Sequence, residues 1–240
     1  EHTATDYRGY PAMSDEKALG YFKLAASKGW QIICHANGDA AIDQCLNSIE
    51  AAQKEYPNPD HRSVIIHGQM MRADQVTRMK ALGALPTFFA AHTFYWGDYH
   101  RESTLGSPRA ERISPTRDAI NAGLTLTTHH DSPVIMPNAM RIVDATVNRT
   151  TRTGKILGPE QRLTPFEALK AVTIWGALQH FEEASKGTLT LGKRADFAVL
   201  SDNPLKIAPS KIKTIRVTAT IKDGQRIYCA PDQTHITICK

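Results

Sequence analysis

Along the chain, apolar positions recur at helical spacing, then in short unbroken runs, then at helical spacing again. Ser14 is a helix-capping residue followed by Asp15 and Glu16, and Leu19, Phe22, Leu24 and Ala25 carry the pattern to a stop at Gly29. The pattern predicts a strand at 31–34, a helix at 40–55, a strand "SVIIH" at 63–67, a helix at 73–82 and a strand "ALPTFFA" at 84–90. A longer irregular segment precedes a helix at 115–122 and a strand "LTLTTHHD" at 124–131. Short apolar strands separated by helices pair in parallel, with both faces of the sheet covered.

That pattern fits an open doubly wound sheet or a closed β/α barrel. Three polar residues decide between them. His35, His67 and Asp131 stand at or just beyond the carboxyl ends of three different predicted strands, and a barrel brings such ends to one mouth. A doubly wound sheet favours a glycine-rich phosphate loop after its first strand, and "HANGDA" lacks the G-x-G-x-x-G spacing. The barrel is the better fit.

Composition narrows the picture further. With 240 residues, 41% hydrophobic and 22% charged, the chain can bury a sizeable core. Its formal charge of +5 would suit a nucleic-acid binder, but Lys and Arg are scattered among Asp and Glu, and aromatic residues do not interleave with basic ones. No nucleic-acid partner is expected. No apolar run reaches transmembrane length, so no membrane partner is expected either; a cytoplasmic location is the expectation, although absent targeting signals decide nothing. The four cysteines show no C-x-x-C spacing, so Cys34 reads as strand filler and no disulfide framework is predicted. The sequence opens on Glu1, not Met, which places the natural amino terminus upstream.

A histidine at a strand end is ordinarily a packed or hydrogen-bonded residue. Three such coincidences in one register favour a divalent-metal site, because neutral imidazoles beside a carboxylate in an open mouth are the donors zinc takes. His35, His67 and Asp131 are the candidate ligands, with Asp131 also able to shuttle a proton to a leaving amine. The segment "HTFYWGDYH", 92–100, follows the strand expected at 84–90; its His92 and Trp96 could line a pocket or pack a loop. In the pair His129–His130 the side chains point to opposite faces of a strand, so both cannot chelate one ion, and His130 is read as an orienting or substrate-polarising neighbour of Asp131. His2, His61, His100, His180 and His235 lie outside the strand-end register.

The stretches "IICHANGDAAID", "SVIIHGQMM", "HTFYWGDYHRES", "LTTHHDSPV", "LTPFEALKAVTIWGA" and "GTLTLGKRADFAVLSDNPL" together resemble the carboxy-terminal half of amidohydrolase family 3, the YtcJ-like, N-substituted formamide deformylase-like branch of the amidohydrolase superfamily. The resemblance runs from about Tyr10 to Tyr228. It implies strands five to eight of a TIM-type β/α barrel at 1–185 and part of a small β-sandwich at 186–240. Within the sandwich, "KGTLTLGKRADFAVL" reads as two short strands around a Gly192 turn and "TATIKDGQRIY" as a hairpin closed by Asp223–Gly224. His35 then matches the ligand ending strand five, His67 the ligand after strand six and Asp131 the catalytic aspartate after strand eight.

The implied activity is hydrolysis of a C–N bond in an amide, formamide or cyclic urea, by metal-activated water with Asp131 as general base. One or two divalent ions, Zn2+ being the expected one, serve as cofactor. Members of the family also carry an H-x-H pair on strand one and a bridging ligand on strand four, and no H-x-H occurs here. The alternative is therefore a catalytically incomplete fragment or half-barrel module. Its raw strand edges would pair with the missing amino-terminal half or with a second copy.

Overall fold

A computed structural model describes residues 9–232. Ser14 accepts a hydrogen bond from the Lys17 amide and starts helix α1 (Asp15–Ser27). Strand β1 (Ile33–Ala36), helix α2 (Asp39–Glu55), strand β2 (Val64–His67), helix α3 (Ala73–Ala81) and strand β3 (Leu85–Phe88) follow in alternation. Helix α4 (His92–Tyr99), a π-helical turn His100–Thr104, helix α5 (Gly106–Ala110) and helix α6 (Thr116–Asn121) lead to strand β4 (Thr127–Thr128). The strands form one parallel sheet in the order β1-β2-β3-β4. Consecutive parallel strands joined by helices are the arc of a TIM-type barrel.

Helices α7 (Ala139–Asn148), α8 (Pro165–Ala171) and α9 (Ile174–Gln179) then close the outside. Strands β5 (Phe197–Leu200), β6 (Val217–Lys222) and β7 (Gln225–Cys229) make a separate antiparallel sheet, the last two joined by the expected Asp223–Gly224 turn. Ile212 and Ile215, which precede β6, are buried in the same apolar cluster as Ile65, Met79 and Phe88. No described helix is long and apolar enough to cross a membrane.

Four expectations need correction. The segment 92–100, read as irregular, begins with a helix; its start has no side-chain cap and Gly97 sits inside it, so the usual signals are missing. The strand expected at 124–131 shrinks to two residues, because only Thr127 and Thr128 find partners on β3. The segment 187–191 forms no strand; Leu189 and Leu191 are exposed and no described strand pairs with them.

The fourth concerns Cys34, which is disulfide-bonded to Cys45 with the Cα atoms 6.5 Å apart. Cys45 is buried on α2 and Cys34 lies on β1, so tertiary packing brings together residues that no spacing motif links. Cys229 is disulfide-bonded as well. In the chain-entropy model a loop of this size contributes about 2–3 kcal/mol. Cys34→Ser, which opens the Cys34–Cys45 loop alone, is expected to lower the unfolding free energy by about that amount in denaturant titration; an unchanged midpoint would show that the bond adds no stability.

Arg149 is fully buried and ends α7 in a left-handed conformation, φ 51°. Its guanidinium donates to the carbonyls of Leu157 (2.8 Å), Ser114 (3.2 Å) and Ile113 (2.8 Å), tying two segments beside α5 and α6. Burial lowers its pKa to about 10, with Glu111 opposing that shift. Arg149→Met strands three buried carbonyls and should cost about 3–5 kcal/mol by urea denaturation. A loss below about 1 kcal/mol would show that water replaces the guanidinium easily.

Candidate metal centre and its aromatic wall

The parallel register sets the site. Ala36 pairs with His67, His67 with Phe88 and Phe88 with Thr128, so the ends of all four strands lie side by side. His67 ends β2 at φ 77° and is followed by Gly68 at φ 53°. A side chain at position 68 would press on Met71 and Phe88, with a Cβ 3.1 and 3.2 Å from their nearest atoms. Asp131, just past β4, also has a positive φ of 55°. Left-handed backbone at a non-glycine residue is uncommon and concentrates at functional sites.

His67 Nε2 lies 3.9 Å from Asp131 Oδ1. With His129 these residues form a group whose candidate ligand atoms all lie within 4.8 Å of one another. The His35 ring is 4.6 Å from that of His67, centroid to centroid, but His35 itself is exposed on the open edge of the sheet. The structure thus brings His35, His67 and Asp131 to one mouth, with His35 beside the tight group and not within it.

His129 is the residue that sequence reasoning missed. Its ring centroid is 4.9 Å from that of His67, and its Nδ1 lies 3.2 Å from Thr87 Oγ1. Its Nε2 is buried without a hydrogen-bond partner. His130 is turned to other work, its Nε2 accepting the Asn138 amide at 2.8 Å. The signal that could have found His129 is its i, i+2 relation to Asp131, since alternate residues of an extended chain share a face.

The donors suit a divalent ion. Burial lowers the pKa of His67, against an upward pull from Asp131. Burial also takes His129 down to about 4, helped by His67. Both rings are therefore neutral near pH 7, as ligation requires. His129 Nε2 is a buried polar atom with no partner, an expensive arrangement that a bound cation would relieve, and the His67 nitrogen nearest Asp131 is Nε2. A carboxylate and two imidazoles match the N/O donor set of a catalytic zinc-type centre.

Helix α4 walls one side. Phe89 is fully buried, 6.3 Å from His67, 4.7 Å from His92 and 6.2 Å from Trp96, centroid to centroid. His92 lies 5.8 Å from His67, and burial, with smaller contributions from His67, His100 and His129, brings its pKa to about 3. Trp96 is 37% exposed, 5.9 Å from His92. Ile135, in the loop after Asp131, is buried in a cluster with Phe89, Ala91 and Ile142.

A sequentially ordered parallel β/α sheet with imidazoles and a carboxylate at its carboxyl ends is the arc of a β/α barrel carrying a candidate metal centre. The chain belongs to the Amidohydrolase family, whose model matches residues 1–228. It is 27% identical over 221 residues to YtcJ of Bacillus subtilis (strain 168), covering 89% of this chain and 40% of that protein. It is 27% identical over 204 residues to the N-substituted formamide deformylase of Arthrobacter pascens, covering 85% of this chain and 38% of that protein. An uncharacterized metal-dependent hydrolase from Pyrococcus horikoshii OT3 shares the fold with TM-score 0.72 and 25% identity, over 85% of this chain and 40% of that one. The chain thus spans about 40% of the length of the curated relatives it matches.

Proposed function

We propose that the whole protein hydrolyses a C–N bond in a small amide, formamide or cyclic urea with the help of a divalent ion, Zn2+ in the first instance. The observation that carries this reading is the His67, His129 and Asp131 group, with His129 Nε2 buried and unpartnered in it. A bound ion would supply Lewis-acid polarisation and acidify water. His67, His129 and an oxygen of Asp131 would hold it, with His35 joining them from β1. Asp131, with a side chain 35% exposed, accepts a proton from the attacking water and returns it to the departing nitrogen. Phe89 keeps one side of the mouth dry, and Trp96 and His92 flank the substrate, while His130 orients the loop beyond Asp131 through the Asn138 amide.

A second reading is that the site needs residues beyond this chain. It is favoured by β1, where Ile33 is 50% exposed and His35 stands open on a sheet edge with no further strand among the described residues. Such an edge invites coverage by more of the same protein or by a second copy. Residues 186–240 would then contribute part of the small β-sandwich, which β5 to β7 support. Paired cysteines favour an oxidising compartment over the cytoplasmic location suggested by composition.

The test is to purify the full-length protein, measure bound metal, and assay a panel of N-formyl amides and cyclic ureas before and after chelation. Turnover that is lost on chelation and regained with Zn2+ supports the hydrolase reading. Chelator-insensitive turnover, or none with a full complement of metal, contradicts it.

A further inference from the structure

The face of α4 and its π-helical extension carries His92, Trp96 and His100 at i, i+4 and i+8, so all three side chains fall on one side. Two of these rings are engaged in different ways. His100 has both nitrogens occupied, Nε2 lying 3.0 Å from Gln69 Nε2 and Nδ1 3.1 Å from Thr104 Oγ1. His92 has no hydrogen bond to the protein at its Nδ1, which is buried and unpartnered. Its ring plane is nonetheless fixed. Phe89 meets it edge-on at 4.7 Å and 71°, Trp96 at 5.9 Å and 64°, and His100 at 6.3 Å and 85°.

An imidazole clamped by three rings but unsatisfied at one nitrogen calls for an explanation. The neutral ring has one proton to place. A buried N–H without an acceptor is the rarer and costlier arrangement, whereas a buried lone pair is better tolerated. That cost puts the proton on Nε2, the nitrogen that is not buried without a partner. The ring as a whole stands 5.8 Å from His67, one ring away from the metal-centre group. A ring this close to the group, with its plane fixed and one nitrogen not buried, stands within reach of a carbonyl that the group would hold.

We propose that His92 is a catalytic residue of this site, its Nε2–H donating a hydrogen bond to the carbonyl oxygen of the amide as negative charge builds there, an inference that rests on the hydrolase reading above. No covalent bond forms to the ring and its proton stays in place. Preorganised donors of this type act mainly on the transition state, so their loss appears in kcat more than in KM. The fixed ring plane matters for the same reason, because a donor already aimed needs no reorientation during the reaction.

The test uses the full-length protein and two variants. His92→Phe keeps the ring packing and removes both nitrogens; His92→Gln keeps an N–H donor. The expected result is a fall in kcat of about 10²–10³-fold for Phe with KM, metal content and melting temperature close to parental, and recovery of about tenfold or more for Gln over Phe. Parental kcat in the Phe variant overturns the proposal. Loss of metal or of folding in both variants also overturns it, since the ring would then be a ligand or a packing element. If the parent turns over no amide, the hydrolase reading fails first, and calorimetric binding of acetohydroxamic acid tests His92 alone. Binding about tenfold weaker in the Phe variant supports the hydrogen bond; equal binding overturns it.

Discussion

Asp131→Asn in the full-length protein is expected to keep its divalent ion while turnover falls about 10²–10⁴-fold, the usual contribution of a positioned general base. Asn retains an oxygen that can approach a cation and tolerates left-handed backbone, so the φ of 55° at this position should survive the change. What Asn lacks is a site for the proton. The loss should therefore fall on kcat, with metal content by elemental analysis close to parental. A variant with parental kcat would remove Asp131 from the proton path. A variant that lost its metal would make the carboxylate chiefly a ligand.

Removing His67 should do the reverse. Its ring stands at the centre of the cluster, 4.6 Å from His35, 4.9 Å from His129 and 5.8 Å from His92. His67→Ala would mix two effects, because alanine at φ 77° is strained. His67→Asn accepts that backbone and still deletes the imidazole. Changing a residue that only orients a ligand typically costs about 10–100-fold in metal affinity, so loss of a direct ligand should exceed about 100-fold in a competitive zinc titration, with turnover lost in parallel. Parental affinity would exclude His67 as a ligand.

Much of the barrel arc is legible in the chain, for reasons that differ by element. Helix α1 is announced by Ser14 and its acidic first turn, and the helices α2 and α3 by long amphipathic patterns. Helix α8 carries a capping box as well, Thr164 with Glu167, yet it lies in a stretch read for resemblance and not for period. Helix α4 is short and aromatic and lacks a cap, so only its packing against Phe89 reveals it.

The site was half legible. Strand ends pointed to His35, His67 and Asp131, because a terminal polar residue after an apolar run marks the mouth of a barrel. The alternation rule separated His129 from His130 correctly in direction. It gave the site to the neighbour of Asp131, whereas Thr87 and the His67 ring hold His129 toward the centre. The Cys34–Cys45 bond could not be read at all. It depends on which turn of α2 lies behind β1, a matter of tertiary packing and not of spacing.

The measurement that bears most directly on the account is anomalous diffraction at the zinc edge from crystals of the zinc-loaded full-length protein. The anomalous peak is expected within about 2.0–2.2 Å of an imidazole nitrogen of His67, one of His129 and an oxygen of Asp131. A zinc peak elsewhere, with those three side chains unligated, would contradict it.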